Sequence, residues 1–89
     1  MKAVITVVGK DTLGIVAKIS GKCFEYGANI VDITQKVMRD YFTMILLVEL
    51  EALNVSFSDF ADKLADEGRE MGLEIKVMHE DIFNSMHRI

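Results

Sequence analysis

Residues 30–50, Ile30-Val31-Asp32-Ile33-Thr34-Gln35-Lys36-Val37-Met38-Arg39-Asp40-Tyr41-Phe42-Thr43-Met44-Ile45-Leu46-Leu47-Val48-Glu49-Leu50, hold two strands of opposite character. From Ile30 to Met38, Val31, Ile33 and Val37 alternate with Asp32, Thr34 and Lys36, the period-two pattern of a strand with one polar face. From Tyr41 to Leu50 the middle is apolar on both faces, with Ile45 and Leu47 opposing Met44, Leu46 and Val48, as in a strand buried inside a sheet. Arg39-Asp40 is too short for a crossover, so the two strands form an antiparallel hairpin. The first belongs at a sheet edge and the second in its middle.

The flanking segments extend this unit symmetrically. Lys2 to Val8 is a β-branched run ended by Gly9 and reads as a second buried strand. Leu13 to Tyr26 reads as an amphipathic helix, with Val16, Ile19, Cys23 and Phe24 turned inward, Lys18, Lys22 and Glu25 left for water, and Gly27 as its stop. Ser56 and Asp59 make a capping-box-like start for a helix whose stripe is Phe57, Phe60, Ala61, Leu64, Gly68 and Met71, ended by Gly72. Leu73 to Met78 alternates as a half-exposed strand, and His79 to Ile89 carries Ile82, Phe83, Met86 and Ile89 at helical spacing. With right-handed crossovers this order predicts an α+β, ferredoxin-like βαββαβ sandwich. Its four-stranded antiparallel sheet has two helices on one face, and a short C-terminal helix follows. Residues 1–79 are expected to form the domain, and 80–89 a helical extension packing on it or on a dimer partner.

Length and composition limit what such a chain does. Its 89 residues suffice for one core. Counting glycine but not tyrosine, 49 of the 89 are apolar, or 55%, above the usual ~45–50%. With Thr43, Ile45 and Leu47 left on a sheet face without its own helix, the surplus predicts a homodimer. Polar edge strands would favour a contribution from that face. Cys23 is the only cysteine, which excludes an internal disulfide and a thiol-pair metal or redox motif. The formal charge is −4, without the basic cluster that nucleic acid demands. No apolar run is long enough to span a membrane, and the opening residues lack a signal peptide's cleavage pattern, so a cytoplasmic location is expected.

Fold alone does not decide function. The loop after the first strand, Gly9-Lys10-Asp11-Thr12-Leu13-Gly14, has neither the cysteine pair of a metallochaperone nor the phosphate-holding arginine of an acylphosphatase. The first strand has no aromatic residue for stacking RNA bases. Gly9-Lys10-Asp11-Thr12-Leu13-Gly14-Ile15-Val16, followed by Tyr26-Gly27-Ala28-Asn29-Ile30-Val31-Asp32-Ile33, resembles the ACT domain, the small-molecule regulatory module of amino-acid metabolism. Leu13 stands where many ACT domains have proline. The tail from His79 is similar to that of a short free-standing ACT family, related in turn to the ACT repeats of the glycine-cleavage transcriptional repressor. The resemblance implies a regulator acting by binding, often as a dimer with amino-acid sites between subunits.

The residues themselves allow a bland and a sharp reading. Asp11 caps the first helix, or attracts the ammonium of an amino acid whose carboxylate meets the helix N-terminus. Gly9 and Gly14 permit a turn, or admit a ligand to the backbone. Asn29 bonds its own backbone, or reads a polar ligand across a subunit boundary. Cys23 is expected to be an inert core residue, and His79, Asp81 and His87 are too irregularly spaced for a metal. No nucleophile has an evident base, so the chain is not expected to be an enzyme and needs no cofactor. The predicted ligand site is Gly9, Lys10, Asp11, Thr12, Leu13, Gly14 and Ile15, completed by Asn29 and Ile30 of the same or a neighbouring subunit. The alternative is a ligand-free interaction or dimerisation module acting on a metabolic enzyme or regulator.

Overall fold

The computed structural model describes residues 1–10 and 13–86. The elements run β1 (Lys2–Lys10), α1 (Ile15–Tyr26), β2 (Asn29–Met38), β3 (Tyr41–Glu49), α2 (Phe57–Met71), β4 (Leu73–His79) and α3 (Glu80–Met86). The sheet order is β2-β3-β1-β4, with every neighbouring pair antiparallel, so the two all-apolar strands are central and the two alternating ones are edges. This is the ferredoxin-like sandwich expected.

One sheet face and the two long helices enclose the core. Ala3, Ile5 and Val7 of β1 and Phe42, Met44, Leu46 and Val48 of β3 meet Ile15, Ile19 and Cys23 of α1 and Phe60 and Leu64 of α2. Each helix ends where its sequence stops it. Gly27 takes the left-handed conformation, its amide bonding to Phe24 O while that of Ala28 bonds to Cys23 O. Asn54 then ties this end of α1 to the loop before α2, its amide bonding to Tyr26 O and its Nδ2 to Glu25 O, both at 2.9 Å. At the start of α2 the Ser56 Oγ accepts the Asp59 amide at 3.1 Å. Close approach of α2 to β4 needs Gly68, where a Cβ would lie 2.7 Å from the Ile75 side chain.

Four local expectations are corrected. Strand β1 runs two residues past Val8, to Lys10, by pairing Gly9 with Phe42 and Lys10 with Tyr41. The first helix begins at Ile15, because Gly14 is left-handed (φ 82°) and cannot continue a helix backwards through Leu13; Gly14, not Asp11, therefore holds the N-cap position. Phe24 is 86% exposed, since it follows Cys23 by 100° and the inward stripe is Ile15, Ile19 and Cys23. The register of β2 slips between Ile30 and Asp32, so Val31 falls in a bulge, out of phase with Ile33 and Val37.

The far face of the sheet is covered unevenly. Val4 alternates with the core-facing Ala3 and Ile5, yet it is 4% exposed. Helix α3 contacts β1 and β4 and accounts for this burial. Further along the same face Val8 is 48% and Ile45 38% exposed.

Candidate functional site

The end of the sheet at which β1 stops is shaped by Gly14. Its positive φ turns the chain sharply into α1, and as an N-cap it offers no side chain to the first amides of the helix. Lys18 N bonds back to Gly14 O at 3.0 Å, closing the first turn. Beside this turn is an open cleft of about 580 Å³ lined by Leu13, Gly14, Ala17, Lys18 and Met71. Leu13 is fully exposed at its mouth. The Lys18 ammonium lies 3.9 Å from the Glu67 carboxylate of α2, which also stands 4.0 Å from Lys22. Glu25 and then Glu67 hold the Lys22 ammonium above its ordinary pKa.

Of the predicted residues, the structure brings Gly9, Lys10, Leu13, Gly14 and Ile15 to this end; Asp11 and Thr12 lie outside the described residues. Asn29 and Ile30 are elsewhere in the same chain. Asn29 pairs with Glu49, which pairs with Lys2, whereas Gly9 pairs with Phe42 at the other end of β3. Seven residues of strand separate the two levels, roughly 23 Å. The Asn29 Nδ2 donates to Glu49 Oε1 at 2.9 Å, bridging β2 to β3, and Ile30 packs half-buried against the core. Sequence reasoning missed Ala17, Lys18 and Met71. Lys18 had a signal: it stands four residues after Gly14, on the same helical face.

The remaining marked side chains have structural surroundings. Cys23 is fully buried, which pushes its thiol up to about 11. The His79 ring lies 5.0 Å from that of Phe57, and His87 is outside the described residues. Among the described residues no cluster of three histidine, cysteine or acidic side chains has metal-binding geometry. No described helix is long and apolar enough to cross a membrane.

The β2-β3-β1-β4 sheet under two helices, with an open cleft against the first helix N-terminus, is the architecture of a ferredoxin-like domain. The ACT domain family model matches residues 2–78, and the chain belongs to that family, whose members are regulatory modules. A UPF0237 protein of Clostridium acetobutylicum is 47% identical over 89 residues, covering all of both chains. A solved ACT domain protein from Streptococcus pneumoniae is 42% identical with a TM-score of 0.82, over 93% of each chain. A solved protein assigned as a glycine cleavage system transcriptional repressor is 25% identical with a TM-score of 0.70, over 85% of this chain and 43% of its own.

Proposed function

We propose that this chain is a cytoplasmic regulatory domain that binds an amino acid at an interface between two copies of itself. The observation that carries the reading is the cleft beside Gly14, where an unprotected helix N-terminus and a lysine face the same space. The helix amides and Lys18 suit a carboxylate, and Asp11, in the adjoining loop, suits an ammonium. An α-amino acid carries both groups. Membership of a regulatory family and the likeness to an assigned repressor support the same class.

The proposed site keeps Gly9, Lys10, Asp11, Thr12, Leu13, Gly14 and Ile15 from one copy and takes Asn29 and Ile30 from the other. Because Asn29 is at the opposite end of its own sheet, only a neighbour running the other way can deliver it to the cleft. The experiment is thermal unfolding with each standard amino acid. Ligand at 100 times its Kd should add about 2.7 kcal/mol. Asp11→Asn, which keeps the size of the side chain and loses its charge, should abolish most of that gain. A ligand bound equally well by Asp11→Asn would remove the ammonium role, and no shift with any amino acid would leave the ligand-free dimerisation module as the reading.

A further inference from the structure

The cleft between the start of α1 and the end of α2 has a chemistry that limits its occupant. Leu13, Ala17 and Met71 line it with apolar surface, and among its described lining residues Lys18 alone is charged. Its volume of about 580 Å³ falls within the ~300–1,000 Å³ of small-molecule sites, which are mostly apolar with a few polar groups to fix orientation. Leu13 is fully exposed, so its whole side chain is free to be covered. Met71, the last residue of α2, also packs against the core, which holds this part of the wall in place. Small residues keep the space open. A Cβ at Gly14 would meet nothing within 4 Å, and Ala17, at an exposed helix position that ordinarily carries a long polar residue, ends at its methyl. The charges nearby disfavour a second charge on the ligand. The Glu67 side chain, only 13% exposed, stands 3.9 Å from the Lys18 ammonium and 4.0 Å from that of Lys22. An acidic ligand side chain would meet the Glu67 carboxylate, and a basic one the two ammonium groups. A ligand's carboxylate can share Lys18, whose side chain is 61% exposed and whose separation from Glu67 is longer than a hydrogen bond.

We propose that the cleft selects an amino acid with an uncharged, apolar side chain, which lies on Leu13, Ala17 and Met71 while Lys18 takes the carboxylate. The proposal rests on the amino-acid reading above and names the class of amino acid. The selectivity comes from apolar surface covered on both partners. Each methylene removed from water is worth about fourfold in affinity, so the three carbons that separate leucine from alanine give up to roughly fiftyfold. A hydroxyl gains nothing comparable, because no described lining residue other than Lys18 offers it a polar side chain.

The test is isothermal titration of the full chain with alanine, norvaline, leucine and methionine, and with serine, aspartate and lysine for comparison. Affinity should climb along the apolar series by roughly ten- to fiftyfold, and the three polar amino acids should bind at least about tenfold more weakly than leucine. Three variants at exposed positions separate the parts of the site without disturbing the core. Leu13→Ser should flatten the dependence on chain length and leave alanine within about twofold, and Ala17→Leu, which fills the cleft, should weaken leucine and methionine by about tenfold or more. Lys18→Gln should weaken every member by the same factor, leaving the slope of the series intact. Affinity that does not change along the series, or is highest for serine, aspartate or lysine, overturns the selectivity and leaves the amino-acid reading standing. A length dependence that survives both Leu13→Ser and Ala17→Leu overturns this location for the side chain, and indifference to Lys18→Gln overturns the carboxylate contact. Binding by none of the seven overturns the amino-acid reading and this inference with it.

Discussion

Two residues show how closely helix and sheet are fitted. At Gly68 any Cβ would press on the Ile75 side chain at 2.7 Å and on Leu73 O at 2.9 Å, and only the first of these can yield. Gly68→Ala should therefore destabilise the protein by about 1–3 kcal/mol, although alanine is the better helix former by up to ~1 kcal/mol. Urea unfolding measures the sign, and a stabilised variant would show that α2 can lift from β4. Cys23 makes a second test. Burial favours its neutral thiol, so the folded chain holds the proton to about pH 11, against an ordinary value of 9.0 for the free group. Its contribution to stability is complete below pH 9 and is lost as pH rises towards 11, by roughly 2–3 kcal/mol. Cys23→Ala should flatten that part of the stability–pH curve relative to wild type. Native protein at pH 8 should resist a thiol reagent that labels the unfolded chain at once. What the sequence missed at this scale was Phe24. Its neighbour Cys23 takes the inward position, and an apolar residue one step round the helix fits a hydrophobic count equally well while facing water.

The elements were largely readable because each carries its own stop. Gly27 and Gly72 end the helices in left-handed conformations, and Ser56 begins α2 with a hydrogen bond to Asp59 N. Replacing Ser56 with alanine should cost about 1 kcal/mol, seen as a lower urea midpoint with an unchanged slope. Boundaries that depend on pairing were less legible. β1 reaches Lys10 because β3 offers Tyr41 as its partner, and the bulge at Val31 exists only in the ladder with β3. Neither is a property of its own segment. For the extension, Phe83 is half-buried while Ile82 and Met86 are 55% and 66% exposed, so α3 uses one side of its stripe on the far face and leaves the other open. A chain ending at His79 should uncover Val4 and melt lower. An unchanged melting temperature would mean that the last ten residues serve something other than this domain's stability.

At the level of the whole molecule, the site was half legible. The turn around Gly14 announces itself by its glycines and by the apolar period that follows, but the separation of Asn29 from it follows from sheet direction, which no local motif encodes. β1 and β2 both run antiparallel to β3 and hence parallel to each other, so the end of β1 and the beginning of β2 lie at opposite ends of the strands. A ligand touching both must touch two chains, and that has a thermodynamic consequence. Ligand binding and subunit association then share one coupling free energy, so each strengthens the other by the same factor. Sedimentation at several amino-acid concentrations should show dimerisation tightening as ligand is added, and the thermal shift given by a fixed excess of ligand should grow with protein concentration. Asn29→Ala should reduce this coupling while leaving the ligand-free dimer nearly intact, because the Asn29 side chain donates to the half-buried Glu49 of its own sheet and so is held within its own chain. A ligand that binds with identical affinity to dilute monomer and to dimer would place the entire site within one chain and exclude Asn29 from it.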